Sequence, residues 1–179
     1  NGMMRMSSVP SPPNAAMPYP NSKSNRPDLT GLIDAVTRSA EAAGLQKFLD
    51  PERWDVLVDY VCPAQHKAGE LLIAQGDGDR RLYFVESGDL KVDLHTDKGI
   101  VHLAVLGPGT VVGEGSFFSH AVRLASVSAY SDCRVWTLTP TDFDNLSRHH
   151  PQVALALAMA LGAVLANRML EMSKRSAVT

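Results

Sequence analysis

The chain has 179 residues, a formal net charge of −2 at pH 7 and a hydrophobic content of 45%. That composition builds a globular domain with a real core and excludes a disordered polyelectrolyte. It also lacks the basic stripe that nucleic-acid binding requires; Lys174-Arg175, near the end, suits a helix C-terminus instead.

Residues 1–27 hold six of the eleven prolines, with Ser, Asn and Met between them, which is the composition of an arm or linker. Residues 28–61 are predicted to be helical. Over 29–43, LTGLIDAVTRSAEAA places Leu29, Leu32, Ile33 and Val36 at helical spacing, and Gly44 follows as a natural C-cap. A second helix takes Asp50 as N-cap and Pro51 as its first residue, then runs through Trp54, Leu57, Val58 and Val61.

From 62 to 139 short apolar runs alternate with turn signals: LLIA, LYFV, LKVDL, IVHLAVL, VSAYS and VWTL. Nine of the thirteen glycines fall between Gly69 and Gly115, which marks short antiparallel strands joined by regular turns. Leu90, Val92 and Leu94 face one way, with Lys91 and Asp93 opposite. Over 140–175, Thr139-Pro140 opens a short helix and His150-Pro151 opens a long one that runs to about Lys174. The expected fold is α+β: an eight-stranded antiparallel β-roll, jelly-roll-like, with N-terminal helices and a long C-terminal helix, forming a single domain over 28–175.

Residues 151–167, PQVALALAMALGAVLAN, carry no charge, but alanine and the interrupting Pro, Gln, Gly and Asn read as a helix buried on more than one side, with no membrane span expected. Val153, Leu157, Leu161, Val164 and Leu165 form one stripe; Leu155, Met159, Ala163 and Ala166 extend it around the cylinder. One face covers the roll, and the second is best buried on a copy of itself, which predicts a homodimer. Cys62 and Cys133 form no CxxC, and the N-terminus has no apolar leader, so two free thiols in the cytoplasm are expected. The six histidines show no HxH, and no Ser-His-Asp arrangement can be argued. The chain is therefore read as a non-enzyme without metal or cofactor.

The stretch VVGEGSFFSHAVRLASVSA, residues 111–129, carries the chemistry. Gly113-Glu114-Gly115-Ser116 frames a bend that opens a short helix, and a lone cation, Arg123, follows within an apolar and small-residue run. First-turn N–H groups plus one guanidinium suit a compact anion. On these residues alone, Glu114 and Arg123 paired with each other is an equally open reading.

The order of elements, the pattern G-E-x-S followed by R-L-A-S-V-S-A over 123–129, and the turn glycines Gly69, Gly76, Gly88 and Gly109 resemble the cyclic-nucleotide-binding domain family, the sensors of catabolite-activator-like proteins and of protein kinase A regulatory subunits. The resemblance covers roughly residues 45–173. It implies a phosphate-binding cassette made of Gly113, Glu114, Gly115, Ser116, Arg123, Leu124 and Ala125, with Arg123 on the cyclic phosphate and Glu114 on the ribose 2′-hydroxyl. It further implies an apolar base pocket lined by Val92, Leu103 and Val111, and a purine edge met from the last helix by Asn167 and Arg168. Two positions depart from the family pattern. Leu124 stands where a small or hydroxylic residue is usual, which removes a hydrogen bond to guanine. Gly115 stands where Leu or Ile is usual. The implied ligand is cAMP, with cGMP second. No helix-turn-helix follows Lys174, so no direct DNA binding is expected, and the downstream effector is unknown. The competing reading is a ligand-less β-roll that serves only for dimerisation or interaction.

Overall fold

The computed structural model describes residues 26–177, with side chains to Lys174. The expected arm, as far as residue 25, lies outside the described residues. Its last described cation, Arg26, is tied down: its guanidinium donates to the Asp55 and Asp59 carboxylates at 2.7 Å each.

Four strands form one antiparallel sheet: β1 (Cys62–His66), β8 (Cys133–Leu138), β3 (Leu82–Ser87) and β6 (Val111–Val112), in that order. The second sheet runs β2 (Leu71–Ile73), β7 (Ser126–Ala129), β4 (Leu90–Thr96) and β5 (Gly99–Leu106). The eight strands make the expected β-roll. Between the sheets lie Ile73, Tyr83, Val85, Leu90, Val112, Val127 and Val135. On the far side of the first sheet, Leu82, Phe84, Val111, Trp136 and Leu138 pack beneath the helices. The β1–β8–β3–β6 sheet is thus covered on both faces, which is why LYFV reads as an unbroken apolar run. On β4 of the second sheet, Leu90 and Val92 turn to the interior, and Lys91 and Asp93 share the other side, where Asp93 is nonetheless buried.

The helices are α1 (Thr30–Arg38), α2 (Ala43–Phe48), α3 (Pro51–Leu57), α4 (Glu114–Ser119), α5 (Pro140–His149) and α6 (Pro151–Ala177), with a 3-10 turn over Ala40–Ala42. Asp50 caps α3 as expected, accepting from the Arg53 N–H at 2.9 Å. Thr139 caps α5 in the same manner, accepting from the Asp142 N–H at 3.1 Å.

The single helix expected over 29–43 is instead broken at Ser39, and Gly44 lies inside α2 rather than capping a helix. The reason is close packing. A Cβ at Gly44 would lie 2.7 Å from the Ala160 carbonyl oxygen and 3.0 Å from the Ala163 Cβ, so glycine lets α2 sit directly on α6.

Along α6, Val153, Ala154, Ala156, Leu157, Ala160, Leu161 and Val164 are buried, while Leu155, Met159, Met169, Leu170 and Met172 are exposed. The first stripe is the core face, and a second apolar face looks outward. By length and composition Pro151–Lys174 is apolar enough to cross a membrane, with mean hydropathy 1.9 over its most apolar window. Of that window 39% is buried, on the face packed against α2, α3 and α5.

Candidate functional site

The site begins at Gly113. Its φ of 94° is left-handed, and a Cβ there would lie 2.5 Å from the Arg81 carbonyl oxygen and 2.7 Å from Arg123 Nη1. Only glycine permits this approach. Gly113 is the N-cap of α4, so the N–H groups of Glu114, Gly115 and Ser116 belong to its first turn, where no intrahelical carbonyl takes them. A Cβ at Gly115 would meet nothing within 4 Å, so the departure at this position opens space beside the helix start.

Arg123 is 3% exposed and turned toward this bend. Nη1 donates to Ser116 Oγ at 2.6 Å and to the Gly113 carbonyl at 3.1 Å, and Nη2 donates to the Arg81 carbonyl at 2.6 Å. Nε is buried without a partner. A buried donor left unpaired costs about 1–3 kcal/mol, so this atom is a ready donor. Burial pushes the guanidinium below the ordinary arginine range, opposed chiefly by Asp79, whose carboxylate lies 3.9 Å from Nη2. Arginine stays charged through such a shift. Burial likewise pushes the neighbouring Tyr83 phenol up.

The turn after β2 wraps the same arginine. The Arg123 N–H donates to the Asp77 carbonyl and the Gly76 N–H to the Arg123 carbonyl, each at 2.8 Å. Arg80 Nη1 meets His120 Nδ1 at 2.6 Å, tying this turn to the C-terminal end of α4. His120 has φ 59°, the only non-glycine positive φ among the described residues. Such strain clusters where surrounding structure enforces it, often at functional sites. In the sequence this segment, QGDGD, shows only as a turn around Gly76. The acidic pair Asp77 and Asp79 inside it was the available signal.

Glu114 does not pair with Arg123. It is 6% exposed, and its carboxylate accepts from Arg168 Nη1; Arg168 Nη2 also donates to the Val111 carbonyl at 2.9 Å. Arg168 therefore reaches the cassette from α6. Asn167, one residue earlier and about 100° around the helix, is exposed and is not brought to the site.

The base-pocket residues separate. Val92 faces the roll interior, in register with Val127 and Ala104. Val111 does not line a pocket: β6 alternates, so Val111 enters the core beneath the helices and Val112 faces the interior. Its main chain still contributes, through the carbonyl that Arg168 holds. A register shift after Val92 leaves Leu103 as the extra residue of a β-bulge; it is 48% exposed, beside Lys91, His102, Ala104, Val105 and Tyr130. Leu124 is 78% exposed next to Arg123, and Ala125 is half-buried just before β7.

Chemically, the arrangement offers first-turn amides and a buried guanidinium at one bend, with an acceptor, Glu114, beside them. That set suits a compact monoanion carrying a hydroxyl. Residues 63–150 match the family pattern of the cyclic nucleotide-binding domain. The chain is 35% identical over 124 residues to the cyclic AMP receptor protein of Thermus thermophilus, covering 69% of this chain and 56% of that protein. It is 33% identical over 123 residues to glutaminase 2 of Bradyrhizobium diazoefficiens, covering 68% of this chain but 19% of that enzyme. Among solved structures, the Thermus thermophilus catabolite activator protein superposes with a TM-score of 0.62 at 32% identity, covering 75% of this chain and 63% of that one. The chain thus spans about half the length of the first relative and a fifth of the second, and the family includes both regulators and domains carried by enzymes. Fold, cassette and comparisons agree: the chain carries a cyclic nucleotide-binding domain and belongs to that family.

Proposed function

We propose that this domain is a non-catalytic, cytoplasmic sensor that binds cAMP and reports occupancy through α6. The observation that carries the reading is Arg123: a buried guanidinium held at the first turn of α4, with its Nε unpaired. A cyclic phosphate supplies the acceptor that such a group lacks, and the first-turn amides complete its coordination. Glu114 accepts from the ribose 2′-hydroxyl through the carboxylate that Arg168 also engages. Leu124 supports adenine over guanine, because it donates nothing to a guanine edge and offers apolar surface to either base.

The Glu114–Arg168 pair supports transmission. The N-terminal half of α6 is locked on α2 through Gly44, whereas beyond Leu165 the helix meets the cassette through Arg168. A ligand that tightens Glu114 in place favours the docked helix over an undocked one, by its differential affinity for the two states. The exposed row Leu155, Met159 and Met169 on α6 supports a two-fold homodimer.

Calorimetric titration with cAMP, cGMP and cyclic di-GMP tests the reading. Saturable binding of cAMP ahead of cGMP is expected. Heat from none of the three leaves only the ligand-less dimerisation module.

A further inference from the structure

The cyclic-nucleotide reading draws on the main-chain N–H of Ser116 and gives its hydroxyl no task. Ser116 is the third residue of α4 and is 8% exposed. Its Oγ accepts from Arg123 Nη1 at 2.6 Å and donates to the Gly113 carbonyl at 3.4 Å. Nη1 reaches the same carbonyl at 3.1 Å. The serine hydroxyl, the glycine carbonyl and Nη1 therefore close a small ring at the bend. The bond from Nη1 to Oγ is charge-assisted and short, which places it among the stronger kinds.

Both N–H groups of Nη1 are engaged in this way, and Nη2 donates to the Arg81 carbonyl at 2.6 Å. Of the three nitrogens of Arg123, Nε is the one buried without an acceptor. A guanidinium is planar and rigid, so holding Nη1 also sets the direction of Nε–H. Two of the three acceptors are main-chain carbonyls, which any sequence supplies. The third depends on serine at position 116: alanine there would keep the first-turn N–H and remove only the acceptor. The Asp79 carboxylate, 3.9 Å from Nη2, is beyond hydrogen-bond reach and adds charge without direction.

We infer that Ser116 is a positioning residue: its hydroxyl locks the Arg123 fork before any ligand arrives, so that Nε–H stands free for the anion. Ser116 acts through Arg123, and its hydroxyl need not touch the ligand. Donors fixed in advance cost little reordering on binding, so loss of the lock weakens the complex without removing a contact to the ligand. The inference rests on the cyclic-nucleotide reading for the identity of the anion, whereas the locked fork is a property of the protein alone.

The test uses the full chain labelled with ¹⁵N-arginine, as the parent, Ser116→Ala and Ser116→Thr; the threonine variant keeps the hydroxyl. The side-chain signals of Arg123 are assigned by their loss in Arg123→Lys. In the ligand-free parent, separate Nη1 and Nη2 signals are expected, because a held guanidinium does not rotate freely. They should broaden or merge in Ser116→Ala and stay separate in Ser116→Thr. Calorimetry with cAMP should show the alanine variant roughly tenfold weaker, and the threonine variant within about threefold of the parent. A serine with a merely structural role would lower the Tm of Ser116→Ala and leave the Arg123 signals of the folded protein unmoved, which would overturn the inference. Unchanged cAMP affinity in Ser116→Ala would overturn it too, as would tighter binding, which would mean that the hydroxyl withholds Nη1 from the ligand. If the added methyl of threonine lowers the Tm, the comparison of parent with alanine decides alone. A parent that binds no cyclic nucleotide would remove the cAMP reading, and the signals of the ligand-free proteins would still decide whether Ser116 holds the fork.

Discussion

Replacing Arg123 by lysine keeps the charge and removes the planar fork. The native guanidinium meets Ser116 Oγ, the Gly113 carbonyl and the Arg81 carbonyl, and retains Nε. A lysine ammonium has three donors from one point, and it cannot satisfy those acceptors and a phosphate together. One to two charge-assisted bonds to the ligand are lost, each worth about 1.5–3 kcal/mol. A net loss of about 2–4 kcal/mol corresponds to a roughly 30- to 900-fold rise in Kd. Lysine is preferred to glutamate, because a carboxylate at this position would be buried beside Asp79, Asp77 and Glu114, and unfolding would obscure the binding result. Some stability is lost even so, about 1–3 kcal/mol for the carbonyl left unpaired, which a thermal melt measures separately. Calorimetry with cAMP on both proteins is the assay. A folded lysine variant that binds within about threefold of the parent would refute the reasoning, since such a difference amounts to less than 1 kcal/mol.

Glu114→Gln should weaken cAMP more than its 2′-deoxy analogue, and equal losses in parallel titrations would remove the ribose role. Gly44→Ala should destabilise the fold by about 1–3 kcal/mol through overpacking against Ala160, read as a lowered Tm; an unchanged Tm would mean that α2 and α6 are not so closely apposed. The Asp93 carboxyl is held below the usual carboxylate range by its hydrogen bond from His102, and further by Lys91. A depressed carboxyl stabilises the fold above its unfolded-state pKa and loses that contribution as pH falls through the lower folded value. Stability should therefore decline below about pH 4, and Asp93→Asn should flatten that part of the profile in pH-dependent melts. Light scattering at tens of micromolar should report a dimer, and a monomer there would count against burial of the outward α6 face.

What was legible in the sequence follows physical locality. The Asp50 and Thr139 caps, the opposite facings of Leu90/Val92 and Lys91/Asp93 on β4, and the cassette spacing are set within a few residues, and all appear in the structure. What was not legible depends on partners distant in sequence. Gly44 looked like a helix stop because its reason, the backbone of Ala160, lies far along the chain. Leu103 was assigned to the base pocket by resemblance alone, and the sequence does not mark the β-bulge that leaves it as the extra residue of β5. Val111 and Val112 are chemically identical, so the sequence cannot say which one enters which core. Arg168 was nominated, with Asn167, only for the purine edge. That it reaches Glu114, and so joins helix to cassette, depends on the tertiary path of α6.

The central claim is that the bend at Gly113 and the guanidinium of Arg123 together grip a cyclic phosphate. Thermal unfolding of the full chain in rising cAMP tests it most directly. Saturation at 100 times Kd should add about 2.7 kcal/mol and raise Tm, with the gain falling below about 1 kcal/mol in the lysine variant at the same cAMP concentration. A melt that stays put at millimolar cAMP, cGMP and cyclic di-GMP would contradict the account.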